Sequence, residues 1–325
     1  MAKRKLTQQQ QQRIHAQQEK NRQSSSSILD ETTHQTGLVI QHHGKQAIVE
    51  DTTGELIHCK IRQNLGNIVC GDHVVWEAKA NNEGIILAIQ DRRNVLARPD
   101  FRRQAKPFVA NIDQVIIVVA TEPELSRHLL DRYLVVTETI SLQAIIVINK
   151  TDLMSENNRQ EIQETLTIYQ NLGYPIIYTS AKTENGLTEL QSTLEDKASI
   201  MVGQSGVGKS SLINCLVPDL DIRVGRLTQA NHGKHTTSTS ILYHLPSGGN
   251  IIDSPGIRDF GLWDINEAQI TEGFIEFRAY NGQCRFHNCR HMNEPDCAIK
   301  QAANNNEINP LRLSSYQQML TEIAL

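Results

Sequence analysis

The stretch Gly203-Gln-Ser-Gly-Val-Gly-Lys-Ser-Ser211 is the strongest indication of the fold of this chain, and it follows an apolar run over residues 199–202. It matches G-x-x-x-x-G-K-[ST], the phosphate-binding loop between a strand and a helix. Its glycines let successive backbone N–H groups point at one phosphate, Lys209 supplies a positive charge, and the Ser210 hydroxyl suits Mg²⁺. The sequence therefore predicts a nucleoside triphosphate site. The expected phosphate contacts are Gly203, Gln204, Ser205, Gly206, Val207, Gly208, Lys209, Ser210 and Ser211.

A second motif selects the base. Asn149-Lys-Thr-Asp152 follows a β-branched run over residues 144–148, and Ser180-Ala-Lys182 follows another short strand. The Asp152 carboxylate can accept hydrogen bonds from the N1–H and exocyclic amine of guanine, a pair that adenine does not present. Asn149 can meet the O6 side, and the Lys150 stem can lie along the base. The nucleotide is therefore expected to be GTP, with base contacts at Asn149, Lys150, Thr151, Asp152, Ser180, Ala181 and Lys182.

Two further segments would bind Mg²⁺ and the γ-phosphate. Asn250-Ile-Ile-Asp253-Ser-Pro-Gly256 contains D-x-x-G, in which Asp253 would hold Mg²⁺ through water and the Gly256 N–H would contact the γ-phosphate. The polar segment 221–239 is the expected first switch, where a threonine completes Mg²⁺ coordination. Thr236 and Thr237 are both placed for this, and Thr237 is preferred from its position relative to the next strand. The expected Mg²⁺ ligands are thus Ser210, Thr237 and Asp253.

The hydrolytic group is harder to identify. Many GTPases have a glutamine after the D-x-x-G glycine to orient the attacking water, whereas this chain has Ile257, which cannot form that hydrogen bond. His235 is the candidate replacement, although it could simply pack on its loop. Arg223 and Arg258 are candidates for a charge-stabilising arginine. The expected catalytic set is Lys209, His235, Thr237 and Gly256, with the chemistry completed only on a partner.

The cysteines fall into two groups. Cys59, Cys70 and Cys215 are isolated among apolar neighbours, as ordinary buried thiols are. The pattern Cys284-x₄-Cys289-x-His291-x₅-Cys297 instead suits one structural, tetrahedral Zn²⁺. The three thiols of this pattern are an odd number, which argues against their forming a disulfide framework. On spacing alone, His287 is a second candidate imidazole.

The guanine loops precede the phosphate loop, the reverse of the usual GTPase order, which a circular permutation explains. This order, with Gly233-Lys-His-Thr-Thr237, Asp253-Ser-Pro-Gly-Ile-Arg-Asp-Phe-Gly261 and the cysteine cluster, resembles the RsgA (YjeQ) family over nearly the whole chain beyond residue 37. The resemblance implies a multi-domain α/β protein with an N-terminal OB-fold β-barrel, a permuted P-loop GTPase domain and a C-terminal zinc-binding helical domain. It selects His291 as the zinc ligand.

The resemblance also implies a function. The family assists late maturation of the small (30S) ribosomal subunit, binds its 16S rRNA, and is released after ribosome-stimulated GTP hydrolysis. Two alternative functions differ in what they explain. A small-molecule kinase would not explain Asn149 and Asp152, and a GTP-binding RNA scaffold with little turnover would be compatible with Ile257.

The composition bears on where the protein is located in the cell and on its association with membranes. The chain has 325 residues, 39% hydrophobic, and a net charge of −4, without an apolar run near the ~20 residues that a membrane span needs. No signal-peptide core is evident at the N-terminus. We expect a cytoplasmic monomer with no membrane partner.

The predicted domain boundaries are a disordered basic tail over 1–36, an OB-fold RNA-binding domain over 37–92, a GTPase domain over 93–262 and a zinc-binding domain with a C-terminal helix over 263–325. The tail would either sample a phosphate backbone or be a solvated leader. The arginine-rich stretch 92–103 is interpreted as a linker, either solvated or phosphate-facing. Candidate RNA contacts are His42, His43, Lys45, Lys60 and Arg62 in the barrel, and Arg278, Arg285, His287 and Arg290 near the cysteines.

Overall fold

The computed structural model describes residues 34–63, 65–80, 82–99, 105–217, 239–254 and 265–323. These residues belong to two compact units. Unit 1 comprises Met1–Leu96, Pro107–Asn111 and Val224–Leu242, and unit 2 comprises Ala97–Lys106, Ile112–Arg223 and Tyr243–Leu325. The predicted tail lies, up to residue 33, outside the described residues, and the four-part division of the chain stays a prediction.

Unit 1 contains a small barrel. Its strands are β1 (His34–His43), β2 (Gln46–Asp51), β3 (Leu56–Ile61), β4 (His73–Lys79) and β5 (Glu83–Ile89). β1 pairs with both β2 and β4, β2 with β3, β3 with β5, and β5 with β4, so the ring of strands closes on itself. Closure leaves these strands without a free edge. The predicted barrel of short strands is confirmed.

The barrel interior is apolar and tightly packed. Val39, Val49 and Trp76 are among its core side chains. A Cβ on Gly84 would lie 2.7 Å from both the Cys59 sulfur and the Trp76 ring, so only glycine leaves room for that ring. Burial raises the pKa of Cys59 to about 12, and the residue is therefore an apolar thiol at neutral pH, as predicted.

The stretch after the barrel, which begins at Arg92, is more than the basic linker that the sequence suggests. Arg92 donates to both carboxylate oxygens of Asp72, at 2.7 and 2.8 Å, and to the Asn67 carbonyl. Because the Asp72 side chain is fully buried, Arg92 neutralises a charge that would otherwise be unpaired. The following residues form a two-stranded sheet of β6 (Val95–Pro99) and β7 (Ala105–Ala110).

Unit 2 is built on a mostly parallel sheet. Its strands are β8 (Gln114–Ala120), β9 (Gln143–Asn149), β10 (Ile176–Tyr178), β11 (Ala198–Val202), β12 (Ile241–His244) and β13 (Asn250–Asp253), in the order β10-β9-β8-β11-β13-β12. The first two residues of β12 are assigned to unit 1 and the last two to unit 2. β8 runs parallel to β9 and β11, and β9 to β10. Every residue of β8 is buried, which explains its unbroken apolar sequence. The predicted α/β sheet is confirmed.

Within the described residues, four α-helices lie between these strands in the chain: α1 (Arg127–Thr139), α2 (Glu156–Asn171), α3 (Leu187–Leu194) and α4 (Lys209–Leu216). Ser126 caps α1 by accepting a hydrogen bond from the Leu129 N–H. Ser155 and Asn158 form a reciprocal capping box at α2. These caps define where each helix begins, and the loops between strand ends and helices carry the predicted nucleotide motifs.

The C-terminal part of unit 2 consists of α5 (Glu267–Gly273), a 3₁₀ helix (Ile275–Tyr280), α6 (Ala298–Asn304) and α7 (Pro310–Ile323). The rings of Phe274, Phe277 and Tyr316 lie 5.0 to 5.4 Å apart and form its aromatic centre. α5 and α7 pack against α1. The predicted helix from Pro310 is confirmed.

A buried ion network joins α7 to the nucleotide-binding part of the unit. Arg312, only 1% exposed, contacts the buried Asp131 of α1 at 2.5 Å and Glu276 at 2.7 Å. Its guanidinium also lies 4.4 Å from the centre of the Phe274 ring. Burial alone would lower the pKa of Arg312, but the two carboxylates outweigh it and the pKa is raised, so the charge is retained.

Candidate functional site: nucleotide loops and a cysteine–histidine cluster

The phosphate loop lies between β11 and α4. Gly203, Gly206 and Gly208 have φ values of 143°, 86° and 94°, a range that residues other than glycine rarely adopt. A Cβ on Gly203 would collide with the Val118 carbonyl oxygen. The Lys209 ammonium donates to the carbonyl oxygens of Gly203 and Gln204, at 2.7 and 2.9 Å, and thus lies over the loop.

The loop presents an open face. Gln204, Ser205, Gly206, Ser210 and Ser211 are exposed, whereas Val207 is buried beneath them. Because α4 begins at Lys209, its first N–H groups are on the side of Ser210 and Ser211. Backbone donors, a helix N-terminus and a lysine charge together form an anion site.

Asn149 joins the guanine loop to the phosphate loop. This buried residue ends β9, and its side-chain Nδ2 donates to the Val207 carbonyl at 2.9 Å. Its Oδ1 accepts from the Ala181 N–H at 3.3 Å and from the Thr179 hydroxyl. One carboxamide therefore connects three segments that are distant in sequence.

The rest of the guanine loop is held in the same way. Lys150 has a left-handed backbone, φ 61°, and its ammonium donates to the Glu122 carbonyl at 2.7 Å. Thr151 donates through its hydroxyl to the Thr179 carbonyl at 3.0 Å. Asp152 accepts from the Ser180 hydroxyl at 2.6 Å, and Lys182 lies 4.0 Å from it. All seven predicted base contacts therefore lie in two adjoining loops.

Sequence reasoning missed one wall of this site. The loop after β8 contributes the Glu122 carbonyl to Lys150, and the Thr121 hydroxyl donates to the Lys150 carbonyl at 3.3 Å. Pro123 lies 3.6 Å from where a Gly206 side chain would begin. These contacts are made mostly by backbone atoms, which every residue type supplies, so no sequence motif predicts them. The position of the loop at the end of a buried strand was the available indication.

Asp253 ends β13 and lies close enough to Lys209 to interact with its charge. Burial raises the pKa of Asp253, an effect opposed by Lys209 and by the Ser254 N–H. Lys209 and Asp253 thus belong to one electrostatic group. The other residues predicted for Mg²⁺ or the hydrolytic step, namely Arg223, His235, Thr236, Thr237, Gly256, Ile257 and Arg258, lie outside the described residues.

A separate cluster lies in the C-terminal part. The ligand atoms of Cys284, Cys289, His291 and Cys297 all lie within 4.8 Å of one another. His291 Nδ1 is 3.5 Å from the Cys284 sulfur and 3.3 Å from the Cys297 sulfur, and these two sulfurs are 3.9 Å apart. Metal–sulfur bonds of ~2.3 Å in a tetrahedron put two sulfurs about 3.8 Å apart, which these spacings match. The four side chains therefore fit a metal ion.

The structure also bears on the isolated candidates. His287 is exposed and is not part of the cluster. Cys59 and Cys70 are buried, but Cys215 is only half-buried, and its thiol donates to the Ala181 carbonyl at 3.4 Å. Arg278, Arg285 and Arg290 pair with Glu138, Asp296 and Glu267, and Lys60 pairs with Glu83. These exposed pairs are weak enough to exchange for another anion.

Fold and site together define a GTPase of permuted motif order, with a barrel and a cysteine–histidine cluster. The model of the RsgA GTPase family matches residues 89–263. A relative from Hahella chejuensis, named small ribosomal subunit biogenesis GTPase RsgA, is 48% identical over 290 residues, covering 88% of this chain and 83% of its own. The chain belongs to the RsgA GTPase family.

Solved structures agree with this assignment. The crystal structure of YjeQ from Thermotoga maritima is similar with a TM-score of 0.74 and 37% identity, covering 90% of this chain and 99% of its own. YloQ, described as a circularly permuted GTPase, has a TM-score of 0.71 and 31% identity over 91% of this chain and 97% of its own. The predicted circular permutation and family are confirmed.

Proposed function

We propose that this chain hydrolyses GTP while bound to the small ribosomal subunit, and that it assists late maturation of that subunit. Membership of a GTPase family establishes the class of reaction. The observation that carries the nucleotide assignment is the 2.9 Å hydrogen bond from Asn149 to the Val207 carbonyl, because it brings a guanine loop against a phosphate loop. The ribosomal target is supported by the names of relatives such as the Hahella protein.

The residue roles follow from chemistry. Asp152 would accept hydrogen bonds from the guanine N1–H and amine, with its second partner, Ser180, holding the carboxylate in place. Lys209 would exchange its two carbonyl contacts for phosphate oxygens, which are stronger acceptors because they are charged. Ser210, Asp253 and Thr237 would hold Mg²⁺, whose positive charge offsets charge building up on the γ-phosphate.

Orientation of the attacking water is assigned to His235, since Ile257 cannot donate or accept a hydrogen bond. Rapid turnover would then require a partner to position the segment containing His235. The small subunit and its 16S rRNA are the proposed partner, and release would follow hydrolysis. A GTP-binding RNA scaffold without turnover is not favoured, because the relatives are named as GTPases.

The cysteine–histidine cluster is proposed to hold one structural Zn²⁺. Four protein ligands leave no open position, so the ion would stabilise the fold and take no part in chemistry. Cys297→Ser should abolish zinc retention and destabilise the C-terminal part by at least about 3 kcal/mol. Metal analysis after gel filtration tests this, with Cys215→Ser, outside the cluster, expected to keep its zinc.

Among the described residues, no helix is long and apolar enough to span a membrane. We propose a cytoplasmic monomer, in keeping with a ribosomal partner. Sedimentation equilibrium of the full chain tests the oligomeric state, because a dimer would give twice the molar mass of the monomer.

Phosphate release from GTP tests the central proposal. Purified small subunits should stimulate release strongly, large subunits should not, and Lys209→Ala should abolish the activity. His235→Ala should remove the stimulated rate while leaving GTP affinity within about twofold. GTP that binds but is not hydrolysed even on small subunits would overturn the proposal.

A further inference from the structure

A cavity of about 250 Å³ lies between α1, α2 and α7, within unit 2. Its volume is near the lower end of the ~300–1,000 Å³ that small-molecule sites enclose. On α7, Leu311, Ser315 and Gln318 line it at the spacing of one helix face. The predicted nucleotide-binding residues contribute nothing to its lining. The cavity is therefore separate from the nucleotide loops.

One wall of the cavity belongs to the buried ion network. Asp131 and Arg312 both line it, and the side chain of Asp131 is only 2% exposed. Asp131 Oδ1 accepts from the Tyr169 hydroxyl and from Arg312, whereas Oδ2 has no hydrogen-bond partner among the described residues. Arg312 also pairs with Glu276, so its single charge balances only one of two carboxylates. The wall thus has an excess negative charge, which favours a cation in the cavity.

Two more polar atoms on the cavity side chains lack partners. Ser315 is 7% exposed, and its hydroxyl forms no hydrogen bond with the described residues. His128 Nε2 lies 2.9 Å from Glu322 Oε1, and because a carboxylate can only accept, Nε2 carries the proton. In the neutral ring, Nδ1 is then an acceptor, and it is buried without a partner in the described part of the chain. Together with Asp131 Oδ2, these atoms provide three acceptors.

The solvent edge of the cavity has the opposite charge. Arg127, the first residue of α1, lines the cavity and is exposed, and its guanidinium has no carboxylate partner among the described residues. A free guanidinium presents several N–H donors to an anionic group. Leu125, Ile168 and Leu311 add apolar surface to the lining. A ligand with a cation inside and an anion at the edge would match both.

We propose that this cavity binds a small zwitterion, with its primary ammonium at Asp131, His128 and Ser315 and its carboxylate at Arg127. An ammonium has three N–H donors and no acceptor, which suits three acceptors, and its charge offsets the excess negative charge of the ion network. Water, at ~30 Å³ per molecule, could fill the cavity but would leave that charge uncompensated. The inference goes beyond GTP hydrolysis and does not rest on the ribosomal proposal.

Three probes with the same four-carbon chain test the proposal. The probe 4-aminobutyrate carries both charges, butylamine carries the ammonium alone, and butyrate carries the carboxylate alone. The full-length protein is saturated with Mg²⁺–GDP, so that the nucleotide site is occupied. Ligand-observed NMR titration measures the three dissociation constants, because ligands of so few atoms bind weakly.

The variants are Ser315→Ala and Arg127→Gln, which leave the ion network intact and are expected to fold. Asp131→Asn is less suitable, because Asp131 also holds that network. Ser192→Ala, which changes an exposed serine of α3 outside the cavity, is the matched control. Without a probe, the unfolding temperature of Ser315→Ala should not fall below that of the wild type, since the hydroxyl that is removed has no partner to lose.

The wild type should bind 4-aminobutyrate about threefold more tightly than butylamine, since an exposed ion pair adds little, and should not bind butyrate. Ser315→Ala should weaken 4-aminobutyrate binding about tenfold, because it removes a hydrogen bond to a charged group. Arg127→Gln should abolish the preference for 4-aminobutyrate over butylamine. The control should match the wild type with all three probes.

No binding of 4-aminobutyrate, or butyrate bound as tightly as 4-aminobutyrate, would overturn the proposal. Equal affinities of the wild type for 4-aminobutyrate and butylamine would overturn the zwitterion and the role of Arg127. Unchanged affinity in Ser315→Ala would show that the probe binds elsewhere, which also overturns the site. These titrations measure no hydrolysis and need no ribosome, so the outcome of the phosphate-release experiment does not affect them.

Discussion

At the residue scale, single polar groups connect segments far apart in sequence. The Asn149 carboxamide bonds to the phosphate loop through its nitrogen and to the second guanine loop through its oxygen. The Asp152 carboxylate accepts a hydrogen bond from the Ser180 hydroxyl at 2.6 Å, and the Lys182 ammonium lies 4.0 Å from its other oxygen, at the limit of an ion pair. The carboxylate is thus pre-oriented, which lowers the cost of ordering it when a base binds.

Asp152→Asn should change base preference. An amide can no longer accept from both the N1–H and the amine of guanine, but its NH₂ can donate to the C2 carbonyl of xanthine. Loss of two charge-assisted hydrogen bonds should weaken GTP binding roughly 100-fold, with affinity for XTP raised. Fluorescence titration with both nucleotides checks this, and Glu156→Gln, exposed at the start of α2, should behave as the wild type. Undiminished GTP affinity would contradict the guanine assignment.

Gly208→Ala should impair nucleotide binding for a steric reason. Gly208 has φ 94°, and its added Cβ would collide with the Asn149 side-chain nitrogen, displacing both loops. We expect at least about tenfold weaker GTP binding, since this contact orders both loops. Gly173→Ala is a matched control, because Gly173 has φ 90° with no atom within 4 Å of the added Cβ.

Calorimetric titration distinguishes the two variants. Gly173→Ala should lower stability by about 1 kcal/mol through backbone strain and leave GTP affinity unchanged. If both variants lost affinity equally, backbone strain and not the contact with Asn149 would be responsible.

At the scale of elements, helices carry the connection between the C-terminal part and the nucleotide-binding part. Asp131 of α1 accepts from Tyr169 of α2 at 2.8 Å and from Arg312 of α7. α1 follows the loop that contacts Lys150, and α2 follows the guanine loop itself. A buried charge network needs every partner present, because an unpaired charge in the interior is costly.

Arg312→Ala should therefore destabilise unit 2 by about 3–5 kcal/mol, since it leaves Asp131 and Glu276 buried without their cation. Arg278→Ala is the control, because Arg278 is 48% exposed where it pairs with Glu138. Exposed pairs contribute at most about 1 kcal/mol. Denaturant unfolding checks both, and similar losses for the two variants would contradict a buried network.

At the scale of the whole molecule, the chain divides into two compact units, and every predicted nucleotide-binding residue that the structure describes lies in unit 2. A ligand stabilises the part that binds it, by an amount set by its concentration relative to its dissociation constant. Nucleotide should consequently act unequally on the two units.

Differential scanning calorimetry should show this inequality. Mg²⁺–GDP at 100 times its dissociation constant stabilises its binding unit by about 2.7 kcal/mol, so the transition of unit 2 should move to higher temperature while that of unit 1 stays in place. Lys209→Ala should remove the shift. A single transition that moves as a whole would show that the units unfold together.

Much of this architecture could be predicted from sequence because the determinants are local. The strands β8, β9 and β11 are nearly continuous apolar runs, and Ser126 and Ser155 cap the helices that begin directly after them. The linker was harder, since Arg92 has the same appearance in sequence whether it meets solvent or a buried carboxylate. Its partner Asp72 is twenty residues away and was not recognisable as buried.

Sequence motifs were sufficient to predict the GTPase class, the order of the motifs, the guanine-binding residues and the four side chains that could bind a metal. Each of these depends on residue types at short, fixed spacings, so that a loop or a cluster is specified by a few neighbours. The three-dimensional packing was needed to show that the loop after β8 contacts Lys150 and that Arg312 is a buried cation. Those features depend on which distant segments the packing of the core brings into contact, and short-range sequence patterns do not record that.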